Sequence, residues 1–213
     1  MITIKQGVGI FLFITSATAV ILFVLVQNNR KPNLSVSFAS LPMNDTSLPT
    51  TTPTHDTINK SIMDSPEGSQ TLTLESLDTE GKTDYSLYVS LKSDDSKQKI
   101  YSKKGSITNS LSVPFNTWSS DNSFVFLKDV SLEQTDYLVF QSSGNVFSND
   151  LSYISVQEYF QKKVQNYIIE DVTGWAGPNL LVVNTKSTEG DKKVSFWFDL
   201  TSLSFIQLGT YFR

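Results

Sequence analysis

The hydrophobic and polar positions of this 213-residue chain fall into three regions. Residues 8–26 form a run of 19 residues without a charge, residues 27–60 contain few large apolar side chains, and residues 61–213 alternate apolar and polar positions in short stretches. A helix of that length spans about 29 Å, which matches the hydrocarbon core of a bilayer. The pattern therefore predicts a transmembrane helix, then a linker, then a domain rich in β-strands.

The first region is predicted to be an uncleaved membrane anchor rather than a removed signal peptide. The apolar part of a signal peptide covers about 7–15 residues and ends at a small-x-small cleavage site. This run is longer, and it ends in LVQNNRK (residues 25–31) without such a site. Because Lys5 precedes the run and Arg30 and Lys31 follow it, the charge count alone does not orient the helix.

The composition of the linker favours one orientation. Residues 33–60 hold 13 Ser, Thr or Pro among 28 positions and few large apolar side chains. Because such a segment cannot bury enough apolar surface to fold, residues 27–60 are predicted to be disordered. Such a linker suits a domain held outside the cell membrane, with residues 1–7 in the cytoplasm. The single histidine, His55, falls in this linker, where a general base would have no fixed geometry.

The β-rich region contains a repeated pattern of a polar turn followed by a strand. The turns begin at Ser65, Ser119 and Ala176, and second strands follow from Thr83, Thr135 and Lys193. The turns carry Pro, Gly, Asp or Asn, and the strands are rich in β-branched and aromatic residues. A spacing of 54 and then 57 residues between turns predicts three antiparallel sheets of three or four strands each.

One stretch, residues 155–166, departs from this pattern and predicts a short helix. Ser155 and Glu158 have the spacing of a capping box, and four apolar side chains fall on one face: Val156, Tyr159, Phe160 and Val164. Its expected role is to cover an exposed edge or end of a sheet, in preference to binding a partner.

The phrase WSSDNSFVF (residues 118–126), followed by TDYLVF, resembles the blade repeat of TolB-like and WD-type β-propellers. In that repeat a W-S-P-D-G-like turn leads into the inner strand; here Ser120 and Asn122 replace the proline and glycine, whereas the first unit keeps Pro66 and Gly68. The order of anchor, linker and repeats is also similar to uncharacterised membrane-anchored bacterial proteins. The resemblance implies a propeller-like array over residues 61–213.

Three units do not close a propeller, which uses about 4 to 8 blades. The expected architecture is therefore mainly β: a partial, three-blade array with its ends covered, or two chains that complete a ring as a homodimer. A two-sheet β-sandwich is the alternative.

Composition and motifs argue against several classes of function. Residues 61–213 hold 13 basic and 19 acidic residues, a charge that disfavours nucleic acid as a partner. The chain has no cysteine, and no phosphate loop, nucleophile elbow or metal-ligand spacing is found in it. Asp94 and Asp95 fit a hairpin turn better than a metal site. Glu170 and Asp171 are neighbours on a predicted strand and so point to opposite faces. We expect the protein to bind no cofactor and no metal and to have no enzymatic activity.

The residues best able to supply binding energy are Trp118, Trp175 and Trp197, with the tyrosines Tyr85, Tyr88 and Tyr101, expected to be exposed, as weaker candidates. Packing between sheets is the preferred role for the tryptophans. The predicted function is a protein-interaction platform at the cell envelope, for which we expect all three tryptophans to be buried. A glycan-binding or glycan-cleaving protein would instead have one exposed tryptophan beside a carboxylate, and a structural spacer would have no ligand.

Overall fold

The computed structural model describes residues 57–79, 81–94 and 96–212. The predicted transmembrane helix at residues 8–26, the cytoplasmic residues 1–7 and the linker up to residue 56 lie outside the described residues. Within the described part of the chain, no helix is both long enough and apolar enough to cross a bilayer.

The described residues form three four-stranded antiparallel sheets and one short helix, and in each sheet the strands lie in chain order. The first sheet contains β1 (Thr57–Asp64), β2 (Gln70–Thr79), β3 (Lys82–Leu91) and β4 (Lys97–Ser106). The second contains β5 (Ser110–Ser112), β6 (Phe124–Val130), β7 (Thr135–Gln141) and β8 (Ile154–Ser155). The third contains β9 (Tyr167–Trp175), β10 (Leu180–Ser187), β11 (Lys193–Asp199) and β12 (Ser204–Gln207). The helix is α1 (Val156–Lys163).

The repeat spacing predicted the three antiparallel sheets that the described residues form, whereas the alternative, a sandwich, has two. The β-region begins earlier than predicted, because β1 starts at Thr57 and not at residue 61. Thr57 and Ile58 pair with Asp78 and Leu77 of β2. This edge strand is held by main-chain pairing and is mostly exposed, so its polar composition did not reveal it.

The repeated turns use the same hydrogen bonds in the first two units. The Ser65 hydroxyl accepts from the Gln70 N–H at 3.1 Å, and the Ser119 hydroxyl accepts from the Phe124 N–H at 2.9 Å. Gly68 (φ 68°) and Asn122 (φ 61°) hold the left-handed position of each turn, for which glycine and asparagine are the favoured residues. The third turn is one residue shorter and closes from the Ala176 N–H to the Leu180 carbonyl.

The second sheet lies between the other two and is covered on both faces. Val125 and Leu127 pack with Leu72 and Leu87 of the first sheet, whereas Phe126, between them in the sequence, packs against the third sheet. Adjacent strand residues point to opposite faces, so a strand covered on both sides needs apolar residues at every position. This explains the continuous apolar run of β6.

Helix α1 behaves largely as the sequence predicted. The Ser155 hydroxyl accepts from the Glu158 N–H at 3.0 Å, while the Glu158 carboxylate pairs with Lys162 rather than returning to the cap. Val156 and Phe160 are buried, and the Phe160 ring packs edge-on against the rings of Phe196 and Phe205. The helix lies against β7 and β12, so it covers the outer edge between the second and third sheets.

Candidate functional site

An open groove of about 1070 Å³ lies among the described residues. It is lined by the end of β1, by the β5–β6 connection and by residues 171–175 of β9. All three sheets therefore contribute to its walls, and each contributes its first strand or the chain next to it. A groove of this size exceeds most pockets for small molecules and has room for a segment of chain.

Trp118 and Trp175 join neighbouring sheets beside this groove. The Trp118 indole N–H donates to the Met63 carbonyl at 3.2 Å, and the Trp175 indole N–H donates to the Thr117 carbonyl at 3.1 Å. The two bonds span 55 and 58 residues. Asp64, Trp118 and Trp175 occupy equivalent positions in the three units. Each tryptophan therefore bonds to the residue that precedes its equivalent in the unit before: Trp118 to Met63, and Trp175 to Thr117.

The three predicted tryptophans differ in exposure, and only Trp118 is buried, at 6%. Trp175 is half-buried: it lines the groove while its ring stacks on Phe124 at 6.1 Å. Trp197 is also half-buried, between Val182 and Ile206 on the face of the third sheet that points away from the second. The expectation that all three are buried is therefore wrong for Trp175 and Trp197, and none of the three is fully exposed.

Tyr137, Asp171 and Lys128 form a small polar cluster in the groove. The Tyr137 hydroxyl donates to the Asp171 carboxylate at 2.8 Å, and the Lys128 ammonium lies 3.8 Å from the same oxygen. Burial, and then the bond to Asp171, raise the pKa of Tyr137 far above its usual value. The phenol therefore stays protonated at neutral pH and acts as a fixed donor rather than as a base.

The other carboxylates beside the groove are also paired within the domain. Asp64 accepts from Lys92 at 2.7 Å and from Thr71 at 2.8 Å, and the Lys92 bond is the main reason that the pKa of Asp64 is lowered. Glu170 binds Lys193 and Tyr211, whereas its neighbour Asp171 binds Tyr137, so the two carboxylates have separate partners. Asp64 and Asp171 both line the groove, and each has its own partners within the domain.

Asn116 and Gly174 bring the wall formed by the β5–β6 connection close to β9. The Asn116 amide donates to the Thr173 carbonyl at 3.1 Å. Gly174 has a φ of 139°, and a Cβ there would lie 2.8 Å from the Cβ of Asn116. A glycine is therefore required at this position both by its backbone conformation and by the close approach.

Two phenylalanines at the groove were not predicted from the sequence. Phe115, in the β5–β6 connection, is 85% exposed, and Phe212 is 43% exposed. Neither lies in a periodic element, so hydrophobic alternation gave no signal for them. The weaker candidates differ too: Tyr85 is buried at 8%, with its hydroxyl bonded to the Asn109 carbonyl, and Tyr88 and Tyr101 are half-buried. Tyr85 shares the inward face of β3 with Leu87.

Residues 208–212 form a strap across the outward face of the third sheet. Leu208 and Thr210 pair with the main chain of Ser195, the Tyr211 hydroxyl reaches Glu170 on the far strand β9 at 2.9 Å, and Phe212 arrives at the groove. Asn184 and Ser195, both polar and almost fully buried, bind the main chain of Phe212.

Among the described residues, no group of three or more His, Asp or Glu side chains is placed to hold a metal ion. The charged groups that line the groove have partners within the domain. Five of the lining residues are aromatic: Phe115, Trp118, Tyr137, Trp175 and Phe212. Such side chains can bind another molecule through apolar contact. Comparison of the chain with protein-family models, curated proteins and solved structures finds no match.

Proposed function

We propose that this protein is a membrane-anchored interaction platform whose extracytoplasmic domain binds a segment of a partner protein in the groove. The observation that carries the proposal is Phe115, a large aromatic side chain that is 85% exposed at the rim of a groove of about 1070 Å³. Exposed aromatic residues beside a concave surface are typical of binding hot spots.

The proposed architecture is a partial propeller-like array that ends at the first and third sheets. It is supported by the three meandering sheets and by the tryptophan bonds that link each unit to the one before it. The strap favours an open arc over a ring of two chains, because a second chain would have to displace residues 208–212 to pack on the third sheet.

The proposed location rests on the sequence. Residues 8–26 would span the cell membrane, with residues 1–7 in the cytoplasm and residues 57–213 outside. The absence of cysteine makes this testable with single-cysteine variants. A cysteine in place of exposed Leu132 should react with a membrane-impermeant maleimide in intact cells; protection until lysis would place the domain in the cytoplasm.

Site-specific photocrosslinking tests the groove. We would replace Phe115 by p-benzoylphenylalanine in the native cells and compare it with the same replacement at Leu132, which is 83% exposed but does not line the groove. A discrete protein adduct from position 115 that is absent from position 132 is expected. Equal adducts at both positions, or none at 115, would contradict binding in the groove.

A glycan ligand is the second candidate, because half-buried Trp175 and the Asp171 carboxylate line the same groove. Indole rings stack on sugars, and carboxylates accept hydrogen bonds from sugar hydroxyls. Envelope polysaccharide added to the purified full chain should then quench tryptophan fluorescence, and a Trp175→Phe variant should lose that response. The platform predicts no quenching by polysaccharide.

A further inference from the structure

The residues that hold the strap form hydrogen bonds with its main chain, so the side chain of Phe212 is not engaged by them. Ser195 accepts from the Phe212 N–H at 2.9 Å, and the Asn184 amide donates to the Phe212 carbonyl. Ser195 also donates to Asn184 at 2.6 Å, so the two polar side chains act as one anchor. The aromatic ring takes no part in these bonds and is 43% exposed at the groove wall.

The anchor explains two otherwise unexpected residues. Asn184 and Ser195 lie opposite each other on β10 and β11 and are 2% and 0% exposed. Polar side chains on the outward face of a sheet are normally solvated, so their burial needs an explanation. Buried polar groups are retained when their hydrogen bonds are satisfied, and here the strap satisfies them. At the groove end, the Tyr211 hydroxyl fixes the strap to Glu170.

The chemistry of the remaining groove surface limits what the partner segment can offer. Asp64 is paired with Lys92, and Asp171 with Tyr137 and Lys128. The outward main-chain groups at Thr173 and Met63 already accept bonds from Asn116 and Trp118. The charged side chains of the groove therefore have partners within the domain, although these pairs are in contact with water. Beside them, Phe115, Trp175 and Phe212 offer apolar contact to a partner.

We propose that Phe212, presented by the strap, is a specificity-determining residue of the groove, and that it selects a partner segment carrying a large apolar side chain that packs against Phe212 and Phe115. This inference rests on the proposed function and names its partner class. It assigns the selection to the strap rather than to the three sheets.

Random heptapeptides displayed on phage provide the probe. They would be selected on the immobilised full chain in detergent, and the affinity of the best synthetic peptide measured by fluorescence anisotropy. The selected peptides should share one large apolar residue, and its replacement by alanine should weaken binding to the native chain about tenfold. Phe212→Ala should cause a similar loss. Leu132→Ala should cause none, because Leu132 is about as exposed as Phe115 but lies outside the groove.

A double-mutant cycle separates recognition by the Phe212 ring from damage to the fold. If the ring contacts the peptide, alanine replacement of the apolar peptide residue costs about tenfold against native Phe212 and severalfold less against Phe212→Ala, where only the contact with Phe115 remains. Tyr211→Phe, which removes only the bond to Glu170, should weaken the same peptide severalfold by loosening the strap. Near-UV circular dichroism of both variants should match that of the native chain.

The two proposals fail in different ways. Peptides whose binding is lost with Phe115→Ala but unchanged with Phe212→Ala would leave the groove as a binding site and overturn the inference about the strap. Peptides selected for a basic residue and lost with Asp171→Asn would also overturn it. Failure to select any peptide, or peptides indifferent to both phenylalanines, would overturn the platform as well.

Discussion

The first and third sheets each turn one face away from the second sheet, and the two outward faces are built differently. On the first sheet, Glu75 pairs with Lys60 at 3.0 Å and with Lys97 at 2.8 Å, and the Lys97 ammonium lies 3.9 Å from the Tyr88 ring centre. These groups stay in contact with water. On the third sheet, Asn184 and Ser195 are buried beneath the strap.

The difference shows two ways of ending a stack of sheets. A charged, solvated face ends the first sheet and discourages further sheets from packing on it. A segment of the same chain covers the third sheet and satisfies its buried polar groups. Only the second way connects the end of the stack to the groove, because the strap carries Phe212 there.

Removal of the strap should cause the largest loss of stability. A variant without residues 208–213 loses two main-chain bonds to Ser195, the bond from the Phe212 N–H to the Ser195 hydroxyl, the Asn184 bond and the Tyr211 bond. At about 1 kcal/mol net for each bond, the free energy of unfolding should fall by about 3–5 kcal/mol. Thermal unfolding of the full chain, followed by near-UV circular dichroism, measures it. A loss below about 1 kcal/mol would mean that the third sheet does not need its cover.

Replacement of the anchor alone should have the next largest effect. Asn184→Ala leaves the Phe212 carbonyl and the Ser195 hydroxyl without their partner in a buried place, which should cost about 1–3 kcal/mol. Thr73→Ala, in the centre of the outward face of the first sheet, is the matched control and should change stability by less than about 0.5 kcal/mol. Equal losses in the same unfolding measurement would erase the distinction between the two faces.

Acid should loosen the strap. The bond from Lys193, with a smaller contribution from Tyr211, holds the pKa of Glu170 below its usual value of 4.5. A lowered pKa in the folded state means that Glu170 contributes stability above about pH 4.5, and that this contribution is lost as the pH falls through the lowered value. Hydrogen-exchange protection of residues 211–212 should therefore fall below about pH 4. Glu170→Gln should remove this dependence, and a native profile in that variant would refute the assignment.

Changes to the charged face should have the smallest effect. Glu75→Gln removes two ion pairs, but pairs in contact with water contribute only about 0–1 kcal/mol. The loss should shrink further in about 1 M salt, where such pairs are screened. Thermal unfolding at low and high salt gives both values. A salt-independent loss of about 2 kcal/mol would show that the first sheet also depends on a specific outward network.

Most of the local structure could be predicted from the sequence, and the exceptions have identifiable causes. The turns at Ser65 and Ser119 and the N-cap at Ser155 form because their hydrogen bonds join residues at most five positions apart. Strand β1 was partly missed because main-chain pairing holds it. Tyr85 was assigned to the surface because a polar tip suggested exposure, whereas its ring faces the core and its hydroxyl finds the Asn109 carbonyl.

The candidate site could be predicted only in part. Trp118 and Trp175 were identified as residues at equivalent positions, and they do lie beside the groove as joints between units. Phe115 and Phe212 were not identified, because an aromatic residue in a connection has the same local sequence whether it is free in solvent or placed at a groove. The pairing of Asp171 with Tyr137 joins residues 34 positions apart and has no local signal either.

Contacts between near neighbours in the chain specify three units of turn and strands and one capped helix, which is why these elements could be predicted from the sequence. Composition predicts an anchor and a linker before them. Which faces meet, where the groove opens and where the strap runs depend on tertiary packing. Contacts such as Trp118 with Met63, or Tyr211 with Glu170, join residues 55 and 41 positions apart, so they arise only once the sheets have packed together.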